Sequence, residues 1–130
     1  MWSLDPIDGT RAFISGNPLW GTLLALLHRG RPVLGLIDIP MLQERWIGAA
    51  DSPARLNGEI CQASACTELR NAILYATSPD IFEGAELAAF DALTGAARMC
   101  RYGGDCYSYG LLASGHVDLV VEAGLQPYDY

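Results

Sequence analysis

Apolar and polar positions alternate from the first residues: Trp2 and Leu4 flank Ser3 ahead of Asp5, the period of a half-buried strand. Pro6 denies Asp5 the helical region and is expected to end the ladder, leaving Asp5 extended at a strand end. Asp8-Gly9-Thr10 then reads as a helix start, with Asp8 the N-cap of a short helix through Phe13 and Ile14 that Gly16-Asn17-Pro18 breaks. Apolar strands are predicted around Leu19–His28, Pro32–Ile39 and Glu44–Ala49, with a turn at Gly30 and a stop at Pro40. Asn57-Gly58 marks a tight hairpin, because a type I′ turn needs positive φ at both central positions. Ala72–Thr77 reads as a further strand. Glu83–Leu93 reads as a helix, Leu87, Phe90 and Leu93 recurring at three-residue spacing. A strand at Met99–Tyr102 leads into Gly103-Gly104-Asp105. Asp105 is a candidate cap for a helix to about Ser114, and Val117–Glu122 is a strand after the Gly115 turn. The order predicts an α/β protein of mixed α+β layers, a sheet with covering helices.

Composition narrows the class. The 130 residues are one domain's worth or part of a larger one, and 51% hydrophobic with 18% charged residues fits a folded core. Fifteen acidic residues stand against eight basic ones, all Arg, for a net charge of -7, which leaves no basic surface for nucleic-acid phosphates. No apolar run reaches the ~20 residues of a membrane span, and the N-terminus lacks the basic and apolar regions of a signal peptide. Cys61, Cys66, Cys100 and Cys106 make neither a disulfide scaffold nor the C-x2-C pairs of a zinc site, and reduced thiols are expected. These readings predict a cytoplasmic protein with no membrane and no nucleic-acid partner. The chain opens directly on a strand, and Pro127-Tyr128-Asp129-Tyr130 approaches a helix that does not follow, so it reads as the middle of a larger fold.

Asp5-Pro6-Ile7-Asp8-Gly9-Thr10 carries the most chemistry. Its two carboxylates, three residues apart on a turn between strand and helix, can face one spot, and hard cations such as Mg2+ want oxygen ligands. The Ile7 carbonyl, without a regular ladder partner, is a third candidate ligand. The N–H groups of Gly9 and Thr10 at a helix start favour a bound phosphate, and Gly9 lets the backbone approach closely. Taken alone, the string also fits an ordinary Asp-capped turn punctuated by Pro and Gly.

The flanks decide between these readings. Trp2-Ser3-Leu4-Asp5-Pro6-Ile7-Asp8-Gly9-Thr10-Arg11-Ala12-Phe13 resembles the signature of the inositol monophosphatase superfamily. So does a second block: Gly103-Gly104-Asp105, then Ala113 to Glu122, then Pro127-Tyr128-Asp129. The resemblance runs over essentially the whole chain and implies an inositol monophosphatase-like sugar-phosphatase fold, truncated at both ends. It implies that Asp5, Ile7 (through its carbonyl), Asp8 and Asp129 bind two or more Mg2+ ions. It further implies that the amides of Gly9 and Thr10 hold phosphate, that the Thr10 hydroxyl positions the attacking water, and that Glu122 contacts the alcohol portion of the substrate. The implied activity is hydrolysis of a small phosphomonoester, in a full-length protein that is a homodimer.

Leu74 to Asp80, Arg101 to Tyr107 and Gly124 to Asp129 look like the histidinol-phosphate phosphatase branch, which makes histidinol phosphate the first expectation and inositol phosphate the second. One physical argument supports it: a carboxylate at Asp105 suits a substrate bearing an ammonium group. His28, His116 and the tyrosines read as packing or surface residues, with Tyr107 a weaker candidate for the substrate rim. The chain also departs from the family. A Glu-Glu motif that supplies a further metal ligand belongs well upstream, and a helix and more sheet belong after Asp129. These residues are therefore expected to be inactive alone, or a non-catalytic remnant, and active as part of a longer chain.

Overall fold

The computed structural model describes residues 1–126 and Tyr128. Nine strands and three α-helices follow in the order β1 (Trp2–Asp8), α1 (Thr10–Ser15), β2 (Gly21–His28), β3 (Arg31–Ile39), β4 (Glu44–Ala49), β5 (Ser52–Leu56), β6 (Glu59–Ile60), β7 (Ile73–Ala76), α2 (Gly84–Ala96), β8 (Met99–Tyr102), α3 (Asp105–Ala113) and β9 (Leu119–Val120) among the described residues. Short 3-10 turns at Leu69–Asn71 and Pro79–Ile81 flank β7.

Two sheets form where the sequence predicts one. Strands β1 to β6 make an antiparallel meander in chain order, while β8, β7 and β9 make a parallel sheet with β7 central. Helix α3 lies between them. On one side it packs against the meander, where Ile39, Trp46 and Cys106 form a buried cluster. Its other side meets β7 and β9. Helix α2 covers the far face of the parallel sheet, where Phe90 stacks on Phe82 at 4.1 Å over Leu74 and Ala76. The layers therefore run meander, α3, parallel sheet, α2.

Register explains which side chains face α3. Asp5, Leu23, Ile37, Trp46 and Leu56 are successive cross-strand partners and share the face toward the helix. The opposite face carries Leu4, Leu24, Leu36 and Ile47 in one row and Trp2, Leu26, Leu34 and Ala49 in the next. On it Trp2, Leu4 and Ile47 remain 60%, 56% and 43% exposed.

Several expectations are corrected. Pro6 does not end β1, which runs on to Asp8 through a register shift between Asp5 and Asp8. As β1 is an edge strand, the proline's missing donor disturbs nothing. Asp8 does not cap α1: the N-cap is Gly9, in the left-handed region, with no side-chain cap bond. Nor does Asp105 cap α3, because it is the first helical residue, after Gly104. The strand expected over Val117–Glu122 contracts to Leu119–Val120, although the amides of Asp118 and Val121 still bond to the carbonyls of Ile73 and Tyr75. Helix α2 runs three residues beyond the expected Leu93, to Ala96. The Asn57-Gly58 hairpin forms as predicted, with φ of 50° and 93°, and it joins the unforeseen β5 and β6.

Candidate active site

Parallel sheets tend to place ligands beyond the carboxyl ends of their strands. Beyond β7, β8 and β9 stand Thr77, the Gly103-Gly104-Asp105 turn and Glu122. The turn from β1 into α1 comes up against them from the antiparallel sheet. A Cβ built on Gly9 would lie 3.2 Å from both Cβ and Oδ2 of Asp105 and 3.2 Å from the carbonyl of Leu19. With φ at 77° as well, this position has neither room nor backbone freedom for another residue.

Asp5 and Asp8 are both half-buried at this junction. Asp5 Oδ1 accepts the Ile7 N–H at 3.0 Å, an Asx turn that fixes its carboxylate over the loop. Asp8 Oδ2 accepts the Cys106 N–H at 2.7 Å and so satisfies an orphan donor of the first turn of α3. Leu4 to Thr10 line a cleft of about 480 Å3, whose remaining wall is Gln126 and Tyr128. Of the candidate residues, Asp5, Ile7, Asp8, Gly9 and Thr10 thus share one cleft. Asp105 joins them through Gly9, and Glu122 is near enough for its ionisation to feel Asp8 and Asp105. Asp129 lies outside the described residues.

The electrostatics are those of a crowded acidic pocket. Burial pushes the Asp105 carboxyl above the usual carboxylate range, the charge of Asp8 adds to this, and Arg11 opposes it. Glu122 is raised mainly by burial, its two bonds from Thr77 oppose the rise, and Asp105 and Asp8 contribute further. Asp105 also adopts a φ of 44°, uncommon for a side chain other than Asn, Asp or Gly, at the point where it meets Gly9. Cys106 is no nucleophile: burial first, then the neighbouring Asp8 charge, pushes its thiol far from ionisation. Tyr107 packs edge-on against Trp46 at 5.7 Å, and both histidines are exposed.

The candidate ligands at the cleft, the Asp5 and Asp8 carboxylates and the Ile7 carbonyl, are all oxygen donors, which fits a hard divalent cation in kind. In number they are incomplete. Among the described residues no three of His, Cys, Asp and Glu come together as a metal site, so Asp5, Asp8 and the Ile7 carbonyl would make at most part of a ligand set. A second groove, of about 360 Å3, lies between Tyr109 and Ala113 of α3 and the small residues Ala25, Gly35 and Gly48 of the meander. Among the described residues no carboxylate, arginine or histidine lines it.

Two site residues escape a reading of the sequence. Cys106 contributes only its amide, which no residue type announces. Thr77 donates both its N–H, at 2.8 Å, and its hydroxyl, at 3.0 Å, to Glu122 Oε1 across 45 residues of chain. Its one visible signal is its place as the first polar residue after the apolar run of β7.

Comparison with known proteins agrees with this geometry. The model of the inositol monophosphatase family matches residues 1–130. The chain is 52% identical over 130 residues to the bifunctional phosphatase IMPL2, chloroplastic, of Arabidopsis thaliana, covering all of this chain and 38% of that protein. It is 36% identical over 129 residues to a histidinol-phosphatase of Chlorobaculum parvum, covering 98% of this chain and 50% of that one. Its structure superposes with a TM-score of 0.96 on an inositol monophosphatase from Zymomonas mobilis at 53% identity, over 99% of this chain and 51% of the other. The chain thus spans between 38% and 51% of the length of these relatives. With its two-sheet fold and its Asp-Pro-Ile-Asp-Gly-Thr cleft, the chain belongs to the inositol monophosphatase family.

Proposed function

We propose that this chain is the central part of a Mg2+-dependent phosphatase that hydrolyses L-histidinol phosphate to L-histidinol and phosphate. Membership of the inositol monophosphatase family supports a phosphatase, and the substrate is our further reading. The observation that carries it is the position of Asp105, whose carboxylate packs on Gly9 beside Asp8 in a pocket where Arg11 supplies an opposing charge. Such a wall suits the ammonium group of an amino alcohol and gains little from a neutral polyol. The relatives named as histidinol-phosphatases favour the same substrate.

In this reading Asp5, Asp8 and the Ile7 carbonyl, with Asp129, would hold two or more Mg2+ ions, which when bound would supply Lewis-acid stabilisation of the phosphoryl charge. The amides of Gly9 and Thr10 bind the phosphoryl oxygens. The Thr10 hydroxyl orients the water opposite the ester oxygen. The attacking water adds to phosphorus and gives up one proton to solvent as the bond to the ester oxygen breaks, and the alcohol leaves with a proton taken from solvent. Asp105 pairs with the ammonium group and Glu122 accepts from the alcohol portion.

A second reading concerns the 130 residues taken alone. The incomplete carboxylate set among the described residues favours a polypeptide that binds metal or phosphate weakly and does not turn over. Specificity constants for histidinol phosphate and inositol 1-phosphate, measured side by side on a chain of the relatives' full length, test the substrate. A preference of tenfold or more for histidinol phosphate is expected, and equal or reversed values would overturn it.

A further inference from the structure

We infer that Thr77 is a positioning residue for substrate recognition, acting through Glu122; the inference rests on Glu122 contacting the alcohol portion, as proposed above. Glu122 leaves β9 at the carboxyl end of the parallel sheet, and its own backbone lies outside the strand pairing that ends at Val120. Its side chain is half-buried, and it accepts two hydrogen bonds from one residue, Thr77. Both fall on Oε1, so Thr77 leaves Oε2 free of its own donors. A backbone N–H and a hydroxyl from the same residue fix both the position and the rotation of the carboxylate, as a single donor cannot.

Thr77 is itself held firmly. It follows directly on β7, the central strand, and its carbonyl accepts the N–H of Gly103 at 3.0 Å. Gly103 opens the turn that carries Asp105. One residue therefore ties together the two loops that bear the candidate recognition groups, Asp105 and Glu122. The bonds to Thr77 also act on Glu122 in the direction that keeps it ionised against the effect of burial. An ionised, oriented carboxylate is the acceptor that hydroxyl or ammonium donors of a substrate require.

The experiment compares Thr77→Val, Thr77→Ser and Glu122→Gln in a chain of the relatives' full length, with histidinol phosphate and inositol 1-phosphate as the probes. Thr77→Val removes the hydroxyl and keeps the N–H. For whichever ester is turned over, it is expected to raise KM about three- to tenfold with kcat within twofold. Thr77→Ser should restore the original KM. In a Glu122→Gln background Thr77→Val should raise KM by less than in the unsubstituted chain, the non-additivity expected of coupled residues. An unchanged KM, additive effects of the two substitutions, or a loss of kcat with no change in KM would overturn the inference.

Should Thr77→Val fail to fold, Thr77→Ala carries the same comparison. Absence of turnover by the unsubstituted chain would overturn the proposed activity instead. The positioning claim is then read from the Thr77 amide proton in NMR spectra, which should move upfield in Glu122→Ala. A resonance unmoved by that substitution would overturn it.

Discussion

Asp8, the last residue of β1, accepts a 2.7 Å hydrogen bond from the backbone N–H of Cys106 in the first turn of α3, 98 residues further along the chain. One carboxylate thus caps a helix of the central layer while lining the cleft of the outer sheet. Negative charge at a helix N-terminus is favourable, so the arrangement stabilises α3 and holds the Asp8 side chain still.

The two roles of Asp8 separate by substitution. Asp8→Asn keeps an oxygen for the Cys106 amide and should change stability by less than about 0.5 kcal/mol. Its activity should nevertheless fall by more than the roughly 10- to 100-fold typical of losing an outer partner of a metal ligand. Asp8→Ala should lose the cap too, costing about 1–2 kcal/mol. Thermal unfolding and Mg2+-dependent turnover of the two variants check this; equal destabilisation by both would remove the capping role.

Asp105→Asn tests the ammonium site without disturbing the backbone. With φ at 44°, an alanine here would add strain that asparagine avoids. The specificity constant for histidinol phosphate should drop about tenfold or more, while that for inositol 1-phosphate changes little. Parallel losses for both esters would count against an amine contact.

Gly110 of α3 should tolerate no side chain. A Cβ there would lie 2.8 Å from Cε3 and 2.9 Å from Cδ2 of Trp46, in the middle of the contact between α3 and the meander. Trp46 is 4% exposed and its indole N–H donates to Ser114 Oγ at 2.9 Å, so it cannot swing away cheaply. Gly110→Ala should cost about 1–3 kcal/mol, measurable by urea unfolding.

Asp118 ties β9 to β7 and sets a pH dependence. Its Oδ2 accepts the Ile73 N–H at 2.7 Å, and this bond holds its carboxyl below the usual carboxylate range. Because the folded value is depressed, the stabilisation is present above the unfolded value of about 4 and is lost as pH falls through the folded one. Unfolding between pH 7 and pH 2 should show Asp118→Ala less stable than the unsubstituted chain at neutral pH, with the gap closing in acid. A gap that persists at pH 2 would contradict the assignment.

Much of this was legible in the residues. Hydrophobic alternation located β1 to β4, and Asn57-Gly58 located its hairpin, because both signals are local. Asp5, Asp8 and Gly9 stood out because carboxylates, a proline and a glycine crowded into one turn have few uses. What stayed hidden was long-range. Asp8 looked like the cap of the helix that follows it, and only the packing of α3 on the meander shows that it caps a different one. Pro6 looked like a stop, and only the sheet order shows β1 at an edge, where a missing donor is harmless. Thr77 and Glu122 meet across a parallel sheet, whose pairing leaves no spacing rule in the chain.

The central claim is Mg2+-dependent hydrolysis of histidinol phosphate at the Asp5–Asp8 cleft. The most direct test is phosphate release from histidinol phosphate and inositol 1-phosphate, with Mg2+ and with chelator, by a chain of the relatives' full length run beside the 130 residues alone. The account predicts turnover of histidinol phosphate by the longer chain, abolished by chelation, and none by the shorter one. Turnover that survives removal of the metal, or a longer chain that releases no phosphate from histidinol phosphate, would contradict it.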